Sequence, residues 1–315
     1  MELRQLRYFI AIAEHGSLSQ AAARLFIAQS ALSHQLAQLE AELGAPLFER
    51  LPRGVALTEA GHTFIGHAQS ILRQVDTAKA SVRTAADTPT GKVVFGIPHS
   101  VSQALALPLL KAVRAALPGV VLELTEELTG NLVPQLRDGR IDLAVLFEDE
   151  HSAPFHRHYL LDEALCLISP SPTVDAPNTP ISLAEALRLP LILPARPHGV
   201  RPLIESAAQA AGLAAPNVIA DISSISILRT SLLAGMGNTL LPPMPLHAEL
   251  QAGHLHARPL SAPGLQRRIL LCHPRAIPLS AAARAVQRLT QTLCRDLAQS
   301  GEWQAAHWQE SVPER

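Results

Sequence analysis

Residues 16–33 read Gly16-Ser-Leu-Ser-Gln-Ala-Ala-Ala-Arg-Leu-Phe-Ile-Ala-Gln-Ser-Ala-Leu-Ser33. Ser17 and Ser19 both suit the N-cap of a helix running to about Leu25. Phe26-Ile27-Ala28 then forms a three-residue turn, and a second helix continues to about Leu43. Ala22 is small enough for a close helix crossing, and Leu25, Ile27, Leu32, Leu36 and Leu39 recur at three and four spacing on an inward face. Two short helices at a steep angle result. The outward face of the second carries Gln29, Ser30, Ser33, His34 and Gln38, all hydrogen-bonding and none a carboxylate. On an arbitrary helical hairpin such a face is only solvated. It also suits a major groove, where Gln bonds adenine bidentately and Ser or protonated His meets phosphate or guanine edges.

The flanks favour the second alternative. Pro46-Leu-Phe48 leads into Arg50-Leu-Pro-Arg53-Gly54-Val-Ala-Leu57, a short hairpin whose tip presents Arg50 and Arg53. Such a wing can lay arginines on the sugar-phosphate backbone or in the minor groove. Thr58 then suits the N-cap of a helix reaching about Ala86, roughly 28 residues or ~42 Å. Phe64, Ala68, Ile71, Val75, Ala78 and Val82 recur along it at spacings of four and three, a heptad seam. The plainer reading of that stripe is core packed on its own domain. Its place directly after a wing favours dimerisation, with two recognition helices on a pseudo-palindromic DNA site.

Composition narrows the alternatives. Of 315 residues 48% are apolar and 17% charged, which excludes wholesale disorder, and the net charge is -1. Residues 1–90 hold eight basic and eight acidic side chains, so DNA binding must come from local geometry rather than a basic glove. The three cysteines form no CxxC, and no signal-peptide core or run of about 18 apolar residues appears. A cytoplasmic protein with no membrane segment is expected. His151, His156 and His158, like His254 and His256, read as solvated loop histidines rather than metal ligands, because the HExxH pattern is missing. Cys166 and Cys272 sit in apolar runs where an inert thiol is usual. No glycine pattern indicates a nucleotide, and no cofactor is expected.

From Lys92 the hydrophobic period changes. Short apolar runs at 92–97, 120–124, 141–147, 164–168, 191–193, 218–222, 239–241 and 269–272 alternate with helical stretches near 101–117, 131–138, 199–211, 224–235 and 279–298. This alternation predicts an α/β fold with a parallel sheet in two lobes. Ligands of such sheets bind beyond the carboxyl ends of the strands. Those ends supply His99, Ser100, Val101 and Ser102, then Thr129 and Gly130, then Phe147, and from the other lobe Arg196 and His198. Ser100 and Ser102 serve equally as helix caps or as hydroxyls for a ligand. A small organic anion, such as a carboxylate, suits this set better than a sugar. Enzymatic hydrolysis by His99, Ser100 and Glu148 is the competing reading, but GxSxG is missing, as is an ordered Ser, acid and His set. No catalytic residues are therefore assigned.

Phe9 to Gly61, with Gly16-Ser-Leu-Ser-Gln-Ala-Ala-Ala-Arg-Leu25, Ala28-Gln-Ser-Ala-Leu-Ser33, Gln35, Leu39-Glu40, Leu43-Gly44, Leu47-Phe48-Glu-Arg50 and Leu57-Thr-Glu-Ala-Gly61, resembles the winged helix-turn-helix of LysR-type transcriptional regulators. Within that family it looks most like the nitrogen assimilation control branch, on Arg53-Gly-Val, His67-Ala-(x)3-Leu72-Arg-Gln74 and Gly91-x-Val-x-x-Gly96. The resemblance implies a winged helix-turn-helix over 1–58, a linker (dimerisation) helix over 59–87 and a hinge at 88–91. A two-lobed periplasmic-binding-protein-like effector domain would follow over 92–299, with lobe I at about 92–161 and 268–299 and lobe II at about 162–267, then a tail over 300–315. It further implies a homodimer or homotetramer on a double-stranded DNA operator, a regulator that is an activator or a repressor, with RNA polymerase as a partner, and a small-molecule effector between the lobes. Members of the nitrogen assimilation branch act without a co-inducer, so a vestigial cleft is the alternative. Two positions depart from the family, Ala28 where Ser is common and His34 where Arg is common. Ala28 has no side-chain oxygen to cap the recognition helix, which costs ~1 kcal/mol if nothing substitutes. Neutral His34 is a weaker phosphate partner than arginine.

Overall fold

The computed structural model describes residues 1–83, 89–170, 179–196 and 200–309. Contacts divide the chain into two compact units that meet in sequence near Asp87 and Thr88.

The amino-terminal unit begins with α1 (Leu3–His15), α2 (Leu18–Leu25) and α3 (Gln29–Leu43). Phe26 closes α2 in the left-handed region, φ 56°. Ala28 caps α3 with no side-chain hydrogen bond, as its lack of an oxygen requires. The antiparallel wing, β1 (Phe48–Leu51) and β2 (Gly54–Leu57), pairs Leu51 with Gly54. A Cβ at Gly54 would lie 2.2 Å from the Gly16 carbonyl oxygen, which also accepts the Val55 N–H at 2.8 Å; only glycine allows that approach. The long helix α4 spans Glu59–Arg83. Thr58 Oγ1 accepts the Gly61 N–H at 3.0 Å and donates to the Pro46 carbonyl at 2.7 Å, so the expected cap also ties the helix to the loop before the wing. Leu6, Phe9, Ile12, Leu32, Leu39, Leu47 and Ala68 form the core.

The carboxy-terminal unit holds lobe I, built from β3 (Gly91–Pro98), α5 (His99–Ala116), β4 (Val120–Glu127), α6 (Thr129–Arg137), β5 (Leu143–Phe147) and β6 (His156–Ala164). Lobe II follows with β7 (Cys166–Ser169), α7 (Leu183–Arg188), β8 (Leu191–Leu193), α8 (Arg201–Ala210), β9 (Val218–Asp221), α9 (Ile225–Leu233), β10 (Thr239–Leu241), a 3-10 turn at Met244–Leu246, α10 (His247–Gln251) and β11 (His256–Pro259). The chain returns to lobe I with β12 (Gln266–His273), α11 (Ala281–Ser300) and β13 (Ala306–His307). Lobe I is a six-stranded sheet in the order β13-β6-β12-β5-β3-β4, and lobe II pairs β10-β7-β11 and β8-β9.

Two expectations need correction, and one open reading is decided. The sheets are mixed rather than parallel: β3 runs parallel to β4 and β5, but β12 runs antiparallel to both β5 and β6, and β7 antiparallel to β10 and β11. His156 and His158 lie on strand β6 rather than in a loop, with rings 4.7 and 5.5 Å from that of His273. Residues 301–307 decide the reading of the tail, which could dock on the effector domain or a neighbour or fray: they dock on lobe I, with Trp303 1% exposed and Ala306 and His307 paired with Glu163 and Asp162 on β6.

Candidate functional site

On α3 the sequence places Leu32, Leu36 and Leu39 inward and Gln29, Ser30, Ser33, His34 and Gln38 outward, and all five outward side chains are exposed. Gln38 Nε2 lies 3.0 Å from His34 Nε2, and Gln35 Nε2 donates to Gln38 Oε1 at 3.1 Å. These polar groups are preorganised along one helix face. Glu40, near the carboxyl end of the helix, accepts the Leu47 and Phe48 N–H groups at 2.7 and 3.3 Å and so fixes where the wing begins. Arg50 on β1 and Arg53 at the wing turn are exposed. Phe26 was not singled out in sequence; at 89% exposure it stands bare where α2 turns into α3. Its backbone is left-handed there.

The seam residues divide. Phe64 and Ile71 pack against the winged-helix core and Ala68 is part of it. Val75 is half-buried and Ala78 exposed, while Val82 falls on the last turns of α4, outside the residues whose side chains are described.

In the carboxy-terminal unit a cavity of about 40 Å³ lies between the lobes, room for about three waters. Four of the expected residues, His99, Ser100, Thr129 and Phe147, line it, together with Arg267, Glu127, Ser223, Ile225 and Leu241. The other expected residues lie elsewhere. Val101 is fully buried in the lobe I core, and Gly130 is exposed at the start of α6. Ser102 Oγ bonds the Glu126 carboxylate and the His99 carbonyl, so it is neither a cap nor a ligand hydroxyl. Arg196 is 70% exposed and engages Glu205 through Nε and Nη2, at 2.9 and 2.7 Å, a pairing that raises its pKa; it is not the cation of this cavity. His198 lies outside the described residues.

The cavity's cation is Arg267. Its Nε and Nη2 donate to Glu163 Oε2 at 2.8 and 2.6 Å, its Nη1 donates to Ser100 Oγ at 3.0 Å, and its guanidinium carbon sits 4.3 Å from the centre of the Phe147 ring. Arg267 and Arg268 precede the apolar run 269–272, so a strand read from hydrophobicity alone stops short of both. A larger polar cavity of about 530 Å³ shares His99 and Ile225 and adds Glu126, Arg229, His247 and Glu249. Among the described residues no group of three or more His, Cys, Asp or Glu is placed to hold a metal ion.

Residues 3–62 match the family model of the bacterial regulatory helix-turn-helix protein, lysR family, and residues 86–295 match the LysR substrate binding domain. The chain is 36% identical over 294 residues to the nitrogen assimilation regulatory protein nac of Klebsiella aerogenes, covering 93% of this chain and 95% of the relative. It is 33% identical to the protein of the same name from Escherichia coli (strain K12), covering 96% and 99%. Among solved structures, full-length CbnR complexed with its target DNA aligns over 94% of this chain and 99% of that one, with a TM-score of 0.68 and 23% identity, a likeness of fold. The chain belongs to the LysR family of transcriptional regulators, with a DNA-binding helix-turn-helix followed by an effector-binding domain.

Proposed function

We propose that this regulator reads a pseudo-palindromic operator as a dimer or tetramer in the cytoplasm. Gln29, Ser30, Ser33, His34 and Gln38 enter the major groove and Arg50 and Arg53 hold the backbone, while a small anion in the interlobe cavity modulates contact with RNA polymerase. The observation that carries the reading is the face of α3: five exposed hydrogen-bonding side chains with no carboxylate among them, beside a wing with two exposed arginines. A carboxylate on that face would repel phosphate and forfeit base contacts. The nitrogen assimilation relatives extend the reading to control of nitrogen-related genes. Oligomerisation draws support from exposed apolar side chains on two elements of the effector domain, Leu107 and Leu110 on α5 and Ile227 and Leu233 on α9; a second copy would cover them. Among the described residues no helix is long and apolar enough to cross a membrane.

The test is gel retardation of the DNA upstream of the protein's own gene, at two salt concentrations, with the wild type and a Gln29→Ala, Ser33→Ala double variant. Loss of sequence preference with residual salt-sensitive binding is expected, because base contacts go while phosphate contacts stay. Unchanged retardation would remove α3 as the reading element.

A further inference from the structure

We propose that Arg267 receives a small monocarboxylate in the interlobe cavity, and that Trp303, from the segment after α11, is the positioning residue that holds Arg267 in place. The inference rests on the cavity being an effector site; it names the ligand class and the group that aims the receptor.

Glu163 is 0% exposed, Arg267 6% and Trp303 1%. A buried carboxylate needs donors on both oxygens. Arg267 supplies two to Oε2, and Oε1 is left for the Trp303 indole N–H, 2.8 Å away. The indole is itself fixed. Its backbone N–H donates to the Leu297 carbonyl at 3.0 Å, the Ala164 N–H donates to the Ala305 carbonyl at 2.8 Å, and β13 sets Ala306 opposite Glu163. A segment at the far end of the chain therefore completes the shell behind the cavity's cation.

Guanidinium carries five N–H donors. Three are used, on Glu163 and on Ser100 Oγ; the other two have no partner among the described residues, on a side chain that lines the cavity. Buried donors of this kind call for an acceptor. The Arg267–Glu163 pair carries no net charge, and Glu127 stands on another wall of the same cavity. The site thus offers hydrogen bonds without surplus positive charge, which favours one negative charge over two. Room for about three waters favours a short carboxylate over a long one.

The chain has two tryptophans, so fluorotryptophan labelling of the full-length protein gives two fluorine signals, which Trp308→Phe assigns by removing one and leaving that of Trp303. The probes are acetate, propionate and succinate. Acetate and propionate should move the Trp303 signal and leave that of Trp308 in place, and succinate should bind about tenfold more weakly. Arg267→Lys should abolish the response, and Trp303→Phe should weaken acetate binding about tenfold, the scale of one lost charge-assisted hydrogen bond. Acetate binding that leaves the Trp303 signal unmoved, or is equally tight in Trp303→Phe, overturns the positioning role and leaves a ligand cavity standing. Succinate as tight as acetate overturns the choice of a monoanion. No response to any probe overturns this proposal, while the effector reading falls separately if no other small anion moves the Trp303 signal or operator retardation. If Trp303→Phe fails to fold, the wild-type signal decides alone.

Discussion

The ring of Phe64, on the long helix α4, lies 5.2 Å from that of Phe9 on α1, tilted by 55°, and Phe9 is in turn 5.3 Å from Phe48 at the start of the wing. One aromatic cluster therefore joins the first helix, the wing and the root of the linker helix. Phe64→Ala should destabilise the amino-terminal unit by about 2–4 kcal/mol, somewhat below a fully buried Phe→Ala because Phe64 is half-buried. Chemical denaturation followed by circular dichroism measures this. A melt equal to wild type would mean that the cluster carries no stability.

The dimer seam is better tested further along the same helix. Val75 is half-buried and joins none of the hydrophobic core clusters among the described residues. Val75→Asp should lower the mass in light scattering by half while changing the stability of the unit by no more than about 0.5 kcal/mol. A full-size oligomer formed by the Val75→Asp variant would take α4 out of the assembly.

The longer helices were legible because their periodicity and caps are local, and the α3 face follows from spacing alone; α7 and α10, at six and five residues, are too short to show a period. Strand β6 was not, because its sequence, HRHYLLDEA, lacks an apolar run. Its acids are tolerated through tertiary partners, chiefly the facing strand: register sets Arg267 opposite Glu163 and Arg268 opposite Asp162, and opposite charges directly across a ladder stabilise it. No local pattern carries that pairing. The same blind spot hid Arg267 as the cavity's cation and made Arg196 look suited to the part, since an arginine's partner, Glu205 or Glu163, is a tertiary fact. Trp303 was read as tail for a similar reason: its polar neighbours conceal a strand of two residues.

His34 is exposed and held near Gln38. His34→Arg supplies a permanent cation at the groove face. Operator affinity at low salt should rise, and the slope of log K against log salt should steepen by about 0.9, the value of one added phosphate contact on duplex DNA. Retardation across a salt series checks this; an unchanged slope would place position 34 away from the backbone.

All three thiols are buried. Burial pushes Cys166 up to about 11, with the Glu163 carboxylate adding to the effect, and Cys272 up to about 12; Cys294 is raised as well, by burial alone. The thiolate is the reactive form, so the native protein should show no fast-reacting thiol towards an aromatic disulfide at neutral pH, against three after denaturation. Hydrogen peroxide should leave operator binding unchanged. One fast native thiol would point to a conformation in which a lobe opens.

His273 packs against His156 and His158, and its pKa is lowered, chiefly by burial; the Pro274 carbonyl opposes the shift and the two neighbouring imidazoles add to it. An unfolded His273 takes its proton near its ordinary value of about 6.5, whereas the folded ring resists it. The unfolded state then binds more protons, so stability is fully present above about pH 6.5, falls as the pH drops below it, and levels off once the lowered folded value is passed. Partial exposure screens the effect, which should stay below about 1.4 kcal/mol per pH unit. Thermal melts between about pH 7.5 and about pH 5 should show the decline, and His273→Asn should reduce it while leaving the melt near pH 7.5 close to wild type. A variant that declines as steeply as the wild type would assign the acid sensitivity to other groups.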